Sequence, residues 1–390
     1  MIHEQPKIKA NIVHQNLLHK RGTKFYQQKL PAWRPNLTSA STTIPSMIVI
    51  GLLFICIGMA VHYTSNGVSE LTVEYTDCQP DSTQLRISYR TCSEYIALHV
   101  GHRCYCNVKF ELTDAFVGTV YMYYGLSNFY QNHRLYVMSK DINQLAGGEM
   151  SGQLLTVMMT KSNCYPYVGD VRRNVVYAPC GLIANSLFND TLTLTYTRSR
   201  RRAVEVPLLN TGIAWTTDKL QRFHNPPDGF VGTAAPFNWH RPVYELDLHN
   251  ASNNGYKNED LIVWMRAAAF PSFRKLYRLI DHSPSAHGTA ADDDNNEEEE
   301  DDAVGLELFA NGLPAGNYTL TVGYAFPVKV FNGHKTMILA TTSWIGGKNA
   351  FLSNAYLWFG VCCVLFSLLL AAVHVKYAFR SAVSFEFYYR

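Results

Sequence analysis

Formal charge is missing from two stretches of this 390-residue chain. No Asp, Glu, Lys or Arg lies between Lys348 and Lys376, whose centre reads Ala355 to Val375, AYLWFGVCCVLFSLLLAAVHV. None lies between Arg34 and Glu70 either, a stretch holding Ile44 to Tyr63, IPSMIVIGLLFICIGMAVHY. At helical rise each run crosses a hydrocarbon core of about 30 Å. Both are read as membrane spans. They are also poor in polar groups: Ser46, Ser367, the terminal His62 and His374, and cysteines. A pathway for ions or polar solutes needs ionisable or polar side chains facing it, which argues against a transporter acting alone. Also lacking are a GxSxG nucleophile elbow, an HExxH helix, a P-loop and a dinucleotide fingerprint, so no spacing argues for an active site.

What is present sets the orientation. A cleavable signal would place its apolar segment nearer the start, so the first span is expected to remain as an anchor. Residues 1–43 carry Lys7, Lys9, Lys20, Arg21, Lys24, Lys29 and Arg34 against Glu4, whereas residues 64–85 carry Glu70, Glu74, Asp77 and Asp81 and no base. Lys376 and Arg380 follow the second span. Both tails are therefore expected in the cytosol, by the excess of bases flanking cytoplasmic span ends. The expected layout is a cytosolic tail 1–43, a span 44–63, a lumenal or extracellular region 64–350, a span 351–375 and a cytosolic tail 376–390. The net charge of +3 is concentrated in the tails and implies no nucleic-acid partner.

Of nine cysteines, Cys56, Cys362 and Cys363 lie in the spans and Cys78, Cys92, Cys104, Cys106, Cys164 and Cys180 in the lumenal region. Six in an oxidising compartment read as three disulfides. Cys104 and Cys106 would share one face of a strand with too short a loop between them, so each should pair elsewhere. HVGHRCYC, with His99, His102, Cys104 and Cys106, offers the ligand types of a zinc site, but its location favours disulfides.

The lumenal region reads as β-rich, an antiparallel sandwich. Tyr318 to Tyr324, YTLTVGY, alternates with the period of a half-buried strand. Similar runs occur at Val117 to Tyr124, Thr191 to Thr197, Leu261 to Met265 and Thr336 to Trp344. A helix is expected over Ser272 to Ile280, after Pro271. Residues 281–305 include nine acids within Asp292 to Asp302, which repel one another and offer nothing to bury, so a disordered insert is expected. The basic cluster Arg198 to Arg202 reads as an exposed hairpin tip. Sequons at Asn189, Asn250 and Asn317 are candidate glycosylation sites; Asn36 fits the pattern but falls on the cytosolic side. Before the first span, FYQQKLPAWRP offers Trp33 in an extended segment between Pro31 and Pro35 and beside Arg34, either as an interfacial anchor or for docking to a partner.

Several long stretches, taken in order, carry a resemblance: FYQQKLPAWRP, VYMYYGLSNFYQNHRLYV, APCGLIANSLFNDT, GIAWTTDKLQRFHNPP, NEDLIVWMRAAAFPSFRKLYRLI and SWIGGKNAFL. Together they closely resemble the cell division control protein 50 family, of the ligand-effect modulator type, from about Gly22 to Tyr377. These are non-catalytic beta subunits of type IV P-type ATPases that flip phospholipids. The resemblance implies a ten-span catalytic partner in a heterodimer, contact with membrane phospholipids, and residence in the endoplasmic reticulum, Golgi or endosomes and plasma membrane. It implies a role in the partner's exit from the endoplasmic reticulum, no cofactor and no enzyme activity here. The phosphorylated DKTGT is absent, since Asp218-Lys219 continues as Leu220-Gln221. It also implies pairing of Cys78 with Cys106, Cys92 with Cys104 and Cys164 with Cys180, a glycan at Asn189, and partner binding through Pro31, Trp33, Arg34 and Pro35. The acidic insert departs from the family. A competing reading, a two-span ligand-gated channel with a cysteine-rich exterior, predicts a homotrimer and a polar pore that the apolar spans do not supply. A third is a lumenal enzyme or adhesion protein with two anchors.

Overall fold

The computed structural model describes residues 40–81, 89–99, 101–148, 163–197, 203–283 and 308–388. The chain divides into two units, one holding the long terminal helices and the other the central residues Asn66–Lys348.

In chain order the main elements are α1 (Ala40–Asn66), β1 (Glu70–Glu74), α2 (Cys92–Leu98), β2 (Cys104–Leu112), β3 (Val120–Leu126), β4 (Thr191–Thr197), β5 (Ala203–Glu205), β6 (Leu208–Leu209), α3 (Glu259–Met265), β7 (Phe273–Ile280), β8 (Gly316–Tyr324), β9 (Lys335–Thr341) and α4 (Ala350–Tyr388).

The terminal helices are apolar around their circumference, the pattern of a membrane span and not of an amphipathic surface helix. Within α1, 27 residues, and within Ala350–Tyr377 of α4, 28 residues, each is long and apolar enough to cross a bilayer. They meet through small residues. A Cβ built on Gly360 would lie 2.7 Å from the Gly51 carbonyl oxygen, and one on Gly51 would lie 2.9 Å from that of Gly360. Ser367 Oγ donates to the Ile44 carbonyl at 3.4 Å. Close backbone approach with an interhelical polar contact is how helices adhere where lipid removes the hydrophobic drive. Asn349 starts α4, its Oδ1 accepting from the Leu352 N–H.

The central unit is mostly sheet. A five-stranded sheet runs β1-β9-β3-β7-β6 and a four-stranded sheet β2-β8-β4-β5, with every neighbouring pair antiparallel. Alternation builds both. In β8, Tyr318, Leu320 and Val322 are buried, and Tyr318 meets Phe110 and Tyr196 across the two neighbouring strands at 5.6 and 5.0 Å between ring centroids. Inward side chains of both sheets belong to one hydrophobic cluster. Near its middle Trp264 is fully buried, donating from Nε1 to the Ile183 carbonyl and surrounded by the rings of Tyr124, Phe129 and Phe326.

Four expectations are corrected. Ser272 to Ile280 is not a helix but the strand β7, hydrogen-bonded on both edges by β3 and β6. Its aromatic and branched residues suit a pleated surface, and Lys275 and Tyr277 alternate inward. Leu261 to Met265 is not a strand; it belongs to α3, where Asn258 Oδ1 accepts from the Leu261 N–H and Glu259 and Asp260 occupy the first turn. A cap and acids at the positive helix end outweigh the apolar run. Val117 to Tyr124 is interrupted at Gly118, whose φ of +88° suits glycine, leaving the short strand Phe116–Val117 and then β3. Strand β9 ends at Thr341, and Trp344 stands in the following turn, 84% exposed.

Candidate functional site

The six cysteines of the central unit form three disulfides, Cys78–Cys106, Cys92–Cys104 and Cys164–Cys180. Cys92 opens α2 and Cys104 opens β2, with Cys106 on the same buried face of that strand. The two bridges lie side by side, so the Sγ atoms of Cys78, Cys92 and Cys106 fall within 4.8 Å of one another. With Cys104 and Cys106 oxidised, the zinc pattern has no thiolate to offer. His99 instead stacks on Tyr95 at 4.7 Å, its Nδ1 3.1 Å from the Tyr95 carbonyl oxygen.

The three sequons occupy unlike settings. Asn317 is exposed on β8. Asn250 is half-buried, and its Oδ1 accepts from the backbone N–H and hydroxyl of Ser252, its own sequon serine. Asn189 is half-buried in the wall of a cavity of about 320 Å³, and its Oδ1 is buried with no partner. Residue Asp190, the middle of that sequon, is buried and ion-paired with Lys335 Nζ at 2.5 Å. Both side chains of the pair are fully buried. The Asp190 carboxylate also accepts from the N–H groups of Ala325 and Phe326, while Lys335 donates to the Phe326 carbonyl and faces the Tyr324 ring. Burial pushes the Lys335 ammonium down to about 8 against the pull of Asp190. The pair joins the start of β4 to the start of β9 and the end of β8.

The same cavity is lined by Arg103, Trp239, Arg241 and the Asp260–Arg278 ion pair. Arg103 directly precedes Cys104, which ties it to the paired disulfides. Behind the cavity, α3 organises the neighbouring loops from both ends. At its start Glu259, buried, accepts from the N–H groups of Ile213 and Ala214 and from Lys219 Nζ. Burial alone would raise this carboxyl; the bonds from Lys219 and the Ala214 amide outweigh it and hold the group below its usual range. At its end Lys275, reaching in from β7, donates to the carbonyls of Val263, Trp264 and Arg266. No carboxylate partners it among the described residues, and burial drives its ammonium well below the usual range. A cation on terminal helix carbonyls is favoured by the helix dipole.

Lys335, Asp190, Glu259 and Lys275 escaped the reading of the sequence. One signal was available: a lysine on the apolar strand KTMILAT, or between the aromatics of SFRKLY, needs a buried partner. Pro31, Trp33, Arg34 and Pro35, the acidic run 292–302 and the basic cluster Arg198 to Arg202 lie outside the described residues.

Two apolar helices flanking a mostly sheet, disulfide-bonded central domain define a two-span membrane protein with a folded ectodomain. The chain belongs to the LEM3 (ligand-effect modulator 3) family / CDC50 family, which it matches over residues 61–380. It is 43% identical to Cell cycle control protein 50A of Mus musculus over 363 residues, 91% of this chain and 89% of that protein. Identity to Cell cycle control protein 50B of Homo sapiens is 40%, over 91% of this chain and 93% of the relative. Similarity extends to ALA-interacting subunit 3 of Arabidopsis thaliana, 32% identical over 92% of this chain and 87% of the relative.

Proposed function

We propose that this chain is the non-catalytic beta subunit of a type IV P-type ATPase that moves phospholipid from the exoplasmic to the cytosolic leaflet. The observation that carries the reading is the match to the family over nearly the whole chain, across both spans and the disulfide-bonded domain. An accessory-subunit role follows from that membership, and the Arabidopsis relative is itself named an interacting subunit. Chemistry belongs to the partner, whose phosphorylated aspartate motif has no counterpart in this sequence.

The proposed mechanism is a clamp on three surfaces. The spans pack against the membrane helices of the ATPase, the central domain covers its exoplasmic loops, and the tail around Pro31, Trp33, Arg34 and Pro35 runs along its cytosolic face. Such a clamp acts on transport only through a difference in affinity between the conformational states of the partner. The same grip supports folding of the ATPase and its exit from the endoplasmic reticulum toward Golgi, endosomal and plasma membranes. Both termini are cytosolic and the central domain is lumenal in this reading, which puts Asn189, Asn250 and Asn317 where glycans are added. Purification from detergent-solubilised membranes tests it. A ten-span P-type ATPase at one-to-one stoichiometry is the expected result; a stable homotrimer without an ATPase overturns it in favour of a channel.

A further inference from the structure

We propose that the turn Ser343–Gly346 is a lipid-contacting tip, which lays the Trp344 indole in the phospholipid headgroup layer on the side of the bilayer that holds the central domain. The inference needs only the two spans and is independent of the subunit reading above.

The turn is closed by its own backbone. Ser343 N–H donates to the Gly346 carbonyl at 2.8 Å, Gly346 N–H donates to the Ser343 carbonyl at 2.9 Å, and the Ser343 hydroxyl donates to the Gly346 carbonyl at 3.0 Å. Gly346 takes the positive φ, +116°, at the fourth position, where glycine is favoured. That leaves Trp344 and Ile345 at the tip, positions that turns in water ordinarily fill with Gly, Asn, Asp or Ser. The other tryptophans of the central domain are engaged: Trp239 and Trp264 donate from Nε1 to carbonyls, and Trp215 lies under the Arg266 guanidinium at 4.6 Å. Trp344, 84% exposed, makes no hydrogen bond or ring contact among the described residues. An indole is apolar over its faces and needs an acceptor for one N–H, and this combination concentrates tryptophan at membrane interfaces.

The tip is also held against the sheet. A Cβ built on Gly347 would lie 3.1 Å from the Arg274 guanidinium, so the chain passes close over that side chain. Arg274 is itself fixed, ion-paired with Glu70 at 2.9 Å and stacked 5.3 Å from the centroid of the Tyr123 ring.

Chain length limits how far this part of the sheet stands from lipid. Thr341, the last residue of β9, donates its N–H to the Ser69 carbonyl. Ser69 is three residues past the end of α1 at Asn66, at most about 11 Å of extended chain. Six residues join Trp344 to Ala350, where α4 begins, at most about 22 Å. Lys348, the last charge before the second span, is exposed and lies between them. Its ammonium suits lipid phosphate, and ester and phosphate oxygens supply the acceptor that the indole N–H lacks. These tethers belong to the chain itself, and they favour lipid over a protein surface as the occupant.

Photo-crosslinking in the membrane tests this. Trp344 is replaced by p-benzoylphenylalanine in the full-length chain, which is purified with its ATPase, reconstituted in phosphatidylcholine vesicles and irradiated; mass spectrometry then reads what is attached at position 344. The control is the same replacement at Val330, 76% exposed and located just before Lys335, the opposite end of β9, roughly 20 Å from Thr341. Phospholipid adducts at 344 are expected to exceed those at 330 at least about tenfold, since the headgroup layer is only about 5–8 Å deep. Equal lipid yields at the two positions overturn the proposal, and so does attachment of 344 to ATPase peptides, which makes the tip a protein contact. The replacement made at Ile345 reads the same tip if the Trp344 variant is not recovered. Loss of the ATPase during purification counts against the subunit reading alone, because the adducts are read on this chain.

Discussion

Two buried lysines show how single residues hold this domain together by different means. Lys335 is matched by a carboxylate, and removing one partner of such a pair leaves an uncompensated charge in the core. Asp190→Asn or Lys335→Met is expected to cost about 3–5 kcal/mol, while the double variant recovers part of the loss. Thermal unfolding of the detergent-solubilised protein reads the three values, and a double variant as unstable as the sum of the singles would refute the coupling. Lys275 has only carbonyl oxygens as partners. Lys275→Met leaves three of them without a donor and should destabilise by about 1–3 kcal/mol, even though methionine fills similar volume. Glu259 adds a dependence on pH. Its carboxyl is held below the ordinary 4.5, so as pH falls the unfolded chain takes up the proton first. The stability it contributes is present above 4.5 and lost as pH falls through the lower value of the folded protein. A Glu259→Gln variant is expected to be less stable at neutral pH and to show a flatter acid limb in unfolding measurements.

At the scale of elements, the two spans approach most closely where Gly51 and Gly360 face each other. Gly360→Leu forces a side chain against backbone at 2.7 Å, and the helices must separate. Overpacking of this kind costs about 1–3 kcal/mol. The expected outcome is a lower melting temperature, whereas leucine at the exposed Cys362 is neutral; equal melting of both variants would show that the glycine contact is not needed. The spans were legible because absence of charge over 20 or more residues has few other meanings. Strands β4 and β8 were legible for a related reason, since one face is buried and alternation survives in YTLTVGY and TLTLTYT. Segments α3 and β7 exchanged identities for different reasons: α3 is buried on more than one side, which erases its period, whereas in β7 an inward position holds Lys275, so the apolar Phe273, Leu276, Tyr277 and Ile280 fall at helical spacing. The Asn258 cap ahead of Glu259 and Asp260 was the local signal that favoured a helix there. The cavity was not legible at all: Arg103, Asn189 and Arg241 are distant in sequence, and only the folded central unit brings them to one wall.

For the whole molecule, the proposed topology puts three parts in three environments, and the proposed clamp assigns a separate duty to each. In the proposed clamp the membrane helices and the central domain carry assembly, and the tail before α1 adds a short contact. In that proposal the fixed φ of Pro31 and Pro35 would lower the entropy lost on docking of Trp33 and Arg34. A contact of this size changes assembly little, yet it biases turnover if it forms in only some states of the ATPase. Replacing Pro31, Trp33 and Pro35 together by alanine is therefore expected to leave co-purification intact and to lower lipid-stimulated ATP hydrolysis several-fold. If the segment were only an interfacial anchor, Trp33→Tyr would preserve its place in the headgroup layer and the triple variant would misplace the span, reducing the amount of complex recovered. Full recovery with unchanged hydrolysis would remove the tail from the mechanism and leave the clamp with two surfaces. Full recovery with reduced hydrolysis, restored by neither tyrosine nor phenylalanine at Trp33, would place a specific indole contact on the cytosolic face of the catalytic subunit.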